Sequence, residues 1–173
     1  MSVHMHLRAV AMPEIQDDHS WLAEFMSDAW DRLPEEYEAG VATSIDTAFD
    51  SVNRFYAWAA GLPASAAFAA GPDGESPWQL PVYGGRAVPH AAGADPSDPP
   101  MGLLEPPGVS AAADFLSKVS FDELWNAAGA ELGSRFDGEE PARSLYREEH
   151  RSLLKFYGRA AAAGHAVVRV VWA

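Results

Sequence analysis

Apolar positions recur along the chain with two periods, and each period predicts an element. Advanced by about 100° per residue, Leu145, Tyr146, Leu153, Phe156, Tyr157, Ala160 and Ala163 fall within one arc, which predicts an amphipathic helix from Ser144 to about Gly164. Arg147, Arg151, Lys155 and Arg159 recur on the opposite side. Gly164 supplies the residue that most readily takes the left-handed helix stop. His165 to Trp172 follows as a β-branched strand, apolar on both faces apart from Arg169. A strand of that kind belongs inside a sheet.

The rest of the chain reads in the same way. Val3 to Val10 alternates, with Val3, Met5, Leu7 and Ala9 on one side and His4, His6 and Arg8 on the other. It predicts a strand with one buried face and its histidines on a partly exposed one. Asp17 or Asp18 caps a helix with the stripe Trp21, Leu22, Phe25, Met26, Ala29, Trp30 and Leu33. Pro34 ends it, and Glu35 to Glu38 forms an acidic link. Ser44 or Asp46 caps the next helix, with Ala48, Phe49, Val52, Phe55, Tyr56 and Ala59 inward and Gly61 and Pro63 as its stop. Ala64 to Ser76 is read as an exposed connection. Trp78 to Tyr83 is read as a strand entering the turn pair Gly84-Gly85, with Arg86 to Val88 beyond. His90 to Pro100 is a loop, Met101 to Leu104 a short strand, Ser110 to Lys118 and Phe121 to Leu132 two helices, and Phe136 to Pro141 an acidic loop. The expectation is one α/β domain over residues 1–173. Its small mixed sheet packs with four or five helices and buries the C-terminal strand.

Three of these stretches resemble the YfbM-like family, small bacterial proteins classed as a domain of unknown function. Ile45-Asp46-Thr47-Ala48-Phe49 to Tyr56 is similar to the family's aspartate-led helix, where Lys and Trp are usual in place of Thr47 and Phe49. The apolar run ending in Gly84-Gly85 resembles its glycine-pair strand, and Leu153 to Trp172 resembles its closing helix and strand. The resemblance implies a mixed α/β domain and carries no known activity.

Composition narrows the partners. A chain of 173 residues suits one domain with a real core. Its net charge of −13 disfavours nucleic acid and anionic membrane and points to a basic protein partner. The basic stripe on the terminal helix is therefore read as a solvated face. There is no cysteine, so disulfides and thiol chemistry are excluded. No signal peptide and no apolar run of about 20 residues are visible, and the expected location is cytoplasmic.

Few residues stand out as chemistry. His4 and His6 point to one side of a strand and could both reach a metal, but no further ligand has matching spacing, so no metal and no cofactor is expected. Glu149 falls inside the apolar arc of the terminal helix. A carboxylate there is either a desolvated general base or a rim group near free amides. Asp46 is a weaker catalytic candidate. Gly84 and Gly85 serve backbone freedom or present amides to an anionic ligand. No P-loop, dinucleotide fingerprint, zinc-protease or nucleophile-elbow motif is present. The leading expectation is a non-enzymatic binding protein that neutralises or senses a partner. The alternative is a hydrolytic small-molecule enzyme with a cleft beside Gly84-Gly85, using Asp46, Glu149 or the N-terminal histidines.

Overall fold

The last strand, β5 (Ala166–Trp172), lies in the middle of a five-stranded sheet, as its two apolar faces require. The computed structural model describes residues 3–46, 49–70, 73–95, 97–134, 136 and 138–172. β5 pairs with β1 (His4–Val10) on one side and β4 (Met101–Leu104) on the other. β2 (Ala42–Ile45) extends the sheet beyond β1 and β3 (Arg86–Ala87) beyond β4, giving the order β2-β1-β5-β4-β3. Every pairing is antiparallel, so the sheet is not mixed in strand direction.

Helices cover both faces. On the front, Met5, Leu7 and Val167 enter the main core. It is completed by α2 (Phe49–Ala57), the short α4 (Leu80–Tyr83), α5 (Pro106–Lys118), α6 (Phe121–Gly133) and α7 (Glu139–Ala162). Phe55, Tyr56, Trp125, Tyr146 and Tyr157 fill the space between them. On the back, α1 (His19–Ala39) packs Leu22 and Met26 against Val10, Val168 and Val170. Asp18 caps α1 by accepting from the Trp21 amide at 3.0 Å, and Ser120 caps α6 in the same way. Gly164, at φ 68°, turns α7 into β5.

Several expectations are corrected. β1 is buried on both faces: His6 is fully buried and Arg8 nearly so, because α1 covers the side whose alternation predicts partial exposure. Arg8 is satisfied there by Glu36, at 2.9 and 2.5 Å, and by the Phe25 carbonyl. That clamp holds the turn after Pro34, so α1 runs through the proline to Gly40 and Glu35 to Glu38 is helical. Pro34 removes one intrahelical hydrogen bond, a local loss the Arg8–Glu36 pair offsets. Ser44 lies in β2 instead of capping a helix. The alanine-rich stretch read as a connection forms α3 (Ala64–Ala70), as its high helix propensity favours. Trp78 to Tyr83 is a turn and helix, not a strand, and Pro81 within it is incompatible with an inner ladder. α7 begins at Glu139, with Pro141 tolerated in its first turn. Ala48, placed on the core face of α2, lies outside the described residues, as do Thr47 and parts of the loops at 71–72, 96 and 137.

Candidate functional site

The glycine pair sits where backbones cross closely. The Gly84 amide donates to the Leu80 carbonyl at 3.2 Å, and a Cβ on Gly84 would lie 2.4 Å from that oxygen. Gly85 takes φ 86°, donates to the Gly74 carbonyl at 3.1 Å, and leaves no room for a Cβ beside the Leu103 carbonyl. Both amides thus donate within the chain. Arg169 reaches from β5 across Gly102 to the carbonyls of Tyr83 and Gly84, each at 3.3 Å, and ties this turn to the sheet. Beside the pair opens a cleft of about 400 Å³, walled by Leu103, Leu104 and Pro107 and rimmed by Asp73, Glu75, Arg86 and Glu105. Two of its four charged groups are committed within the chain. Asp73 accepts from the amides of Glu75 and Ser76 and from the Ser76 hydroxyl, which hold its carboxyl below the usual range. Arg86 is drawn 2.5 Å from Asp17.

Glu149 and Asp46 meet at a different corner. α7 packs against β2, with Ser152, Lys155 and Phe156 beside Ala42 and Thr43, so Glu149, about a turn earlier, faces the end of β2 where Asp46 follows Ile45. Glu149 is half-buried there, and its carboxyl is pushed up to about 7, first by burial and then by the charges of Asp46 and Glu148. Beneath it Tyr56 of α2, fully buried, places its hydroxyl 3.1 Å from Nδ1 of His150. Burial lowers the His150 pKa and raises that of Tyr56, so both are neutral at pH 7. The register sets Asp46 beyond the Met5–Ile45 pair, while the cleft adjoins Leu104 at the level of Val167 and Ala9. The glycine-pair cleft and the two carboxylates therefore lie toward opposite corners of the sheet, and among the described residues Asp46, Glu149, His4 and His6 do not line the cleft beside the glycine pair.

His4 and His6 lie under α1. Trp30 packs edge-on to both rings, at 5.1 and 6.2 Å between centroids, and Tyr37 edge-on to His6 at 5.8 Å. Neither ring nitrogen of His6 has a hydrogen-bond partner among the described residues, and burial, then His4 and Arg8, lowers its pKa to about 4. Among the described residues no group of three or more His, Asp or Glu side chains is placed to hold a metal.

Periodicity does not single out the outer face of α1, because it assigns the aromatics to the core stripe. Only Leu22, Met26 and Ala29 of that stripe are fully buried. Trp21 and Phe25 are half-buried and stacked, 5.1 Å apart and 9° from parallel, and Trp30 and Tyr37 are 42% and 37% exposed. Trp21, Glu24, Phe25 and Asp28, at i, i+3, i+4 and i+7, line a hollow of about 230 Å³. Along α1 stand Glu24, Asp28, Asp31, Glu35, Glu36 and Glu38, against Arg32 alone. That sharing of one helix by acids and exposed aromatics is the signal in the sequence. The basic stripe of α7 is partly committed elsewhere: Arg147 pairs with Asp122 at 3.1 Å, and Arg159 and Lys155 pack over Gly40 at the C-terminal end of α1, where cations are favoured.

The family described as "Domain of unknown function (DUF1877)" matches residues 1–170. No curated protein matches the chain. Among solved structures, "a Protein of Unknown Function YfbM from Escherichia coli" shares the fold, with TM-score 0.54 and 17% sequence identity over 99% of this chain and 100% of that one. No helix among the described residues is long and apolar enough to cross a membrane.

Proposed function

The chain belongs to the DUF1877 family of YfbM-like proteins, and on that footing we propose that it is a cytoplasmic binding protein that neutralises or senses a basic protein partner, docked on the outer face of α1. The observation that carries the reading is the concentration of carboxylates and half-exposed aromatics on α1. Interfaces draw on aromatic anchors at their centre and complementary charge at their rim, which steers approach. The chain as a whole reinforces that steering, with a net charge of −13. The test is association with a panel of basic proteins and arginine-rich peptides at about 20 and about 150 mM salt. Binding that weakens with salt and is lost when Glu24, Asp31 and Glu35 become Lys, while Glu131, Glu140 and Glu148 made Lys leave it intact, supports the reading. Equal loss from both sets contradicts it.

One observation favours a second reading, hydrolysis of a small molecule at the Glu149 corner. A carboxyl titrating near 7 beside Asp46 is poised as a general base. Turnover of ester or phosphoester substrates by the protein, abolished in Glu149→Gln and in Asp46→Asn, is the result that would establish it.

A further inference from the structure

We infer that the hollow of Trp21, Glu24, Phe25 and Asp28 seats an arginine side chain of the basic partner. This rests on the reading of α1 as the docking face and names the group recognised there. The four residues stand on one side of the helix, so their side chains converge without any change of backbone. Trp21 stacks on Phe25, whose ring already carries the Arg8 guanidinium, so the seat lies on the indole of Trp21, and a planar guanidinium is the cation that stacks on such a ring. The chain already uses this chemistry beside the hollow: the Arg8 guanidinium lies over the Phe25 ring, 4.1 Å from its centroid.

The carboxylates decide where the charge is needed. Asp28 is shared by Arg8 at 3.5 Å and Arg32 at 3.3 Å. Glu24, exposed and one turn away, has no ion pair or hydrogen bond among the described residues. An arginine laid along Trp21 brings its fork to Glu24 and its apolar stem to the indole edge. Lysine offers a point charge that neither stacks nor pairs in two places, so the seat discriminates between the two.

The experiment uses the full chain and N-acetyl-arginine amide, N-acetyl-lysine amide and the neutral isostere N-acetyl-citrulline amide as probes, read from the Trp21 indole N–H resonance and, so that Trp21→Leu can be measured too, from the backbone amides of Glu24 and Asp28. The arginine probe is expected to shift that resonance in a saturable way, the lysine probe to bind several-fold more weakly, and the citrulline probe to leave it unmoved. Glu24→Gln and Trp21→Leu should each reduce arginine affinity about tenfold, the loss of one charge-assisted or stacking contact. A citrulline shift equal to that of arginine, or an arginine affinity unchanged in both variants, overturns the seat. If basic proteins bind α1 but Trp21→Leu and Glu24→Gln leave that binding unchanged, the seat fails while the docking face stands. If arginine binds at Trp21 and basic proteins do not bind α1, the seat stands and the docking face fails.

Discussion

Glu149 is perturbed because of its angle on α7 and what that angle faces. The helix turns it inward, Tyr56 lies beneath it, and Asp46 and Glu148 are its charged neighbours. Its carboxyl pKa rises from 4.5 to about 7, so the folded chain holds a proton that the unfolded chain releases. Stability contributed by this group is therefore lost as pH rises from 4.5 to 7. Glu149→Gln should raise stability at pH 8 by about 1–2 kcal/mol after allowing for solvent screening, and by little below pH 4.5. Denaturant titrations of both proteins at the two pH values check this. His6 has the opposite sign. Its pKa falls from 6.5 to about 4, so the unfolded chain binds the proton first and stability is lost as pH falls through that window. His6→Leu removes two unpartnered buried nitrogens and should flatten the acid limb, by roughly 3 kcal/mol between pH 7 and pH 4. Melting curves across that range that stay parallel for the two proteins would refute it.

At the scale of elements, β5 and α1 carry the architecture differently. β5 is held from both edges and both faces. Val170 is fully buried against the α1 side, opposite His6 on β1 and Met101 on β4. Burying a valine contributes roughly 1.5–3 kcal/mol, and an aspartate there adds an unpaired buried charge. Val170→Asp is expected to abolish soluble folding, and a soluble protein with a cooperative melt would show that the strand's position has been misjudged. Among the described helices α1 is the one packed on the back face, so its inner side is fixed by Leu22, Met26 and the Arg8–Glu36 pair while its outer side is free to serve recognition. What the sequence made legible here was whatever repeated: the stripe of α1, the arc of α7 with Glu149 inside it, and the two apolar faces of β5. β2 and α4 were not legible, because four residues are too few to show a period. The burial of His6 and Arg8 was hidden for another reason. It depends on a partner 28 residues away, and nothing in the alternation of β1 announces that a helix will cover its polar side.

For the whole molecule, charge is distributed unevenly enough to matter. α1 holds six acids to a single base on the back of the sheet, while three cations of α7 are exposed toward the front or the end of α1. A net charge of −13 gives a long-range attraction for basic partners, and the local pattern on α1 selects where they settle. The site candidates that sequence reasoning offered, Asp46 and Glu149 at one corner and Gly84-Gly85 at the other, could each be named from residue type. Their separation required the strand register.

The docking face is tested most directly by mapping amide shifts of the isotope-labelled protein during titration with an arginine-rich peptide. The largest shifts should follow the outer side of α1, at Trp21, Glu24, Asp28, Asp31 and Glu35, with the glycine-pair cleft and the Glu149 corner unmoved. Shifts centred on Glu75 and Glu105, or on Asp46 and Glu149, or spread evenly over every acidic surface, would contradict the account.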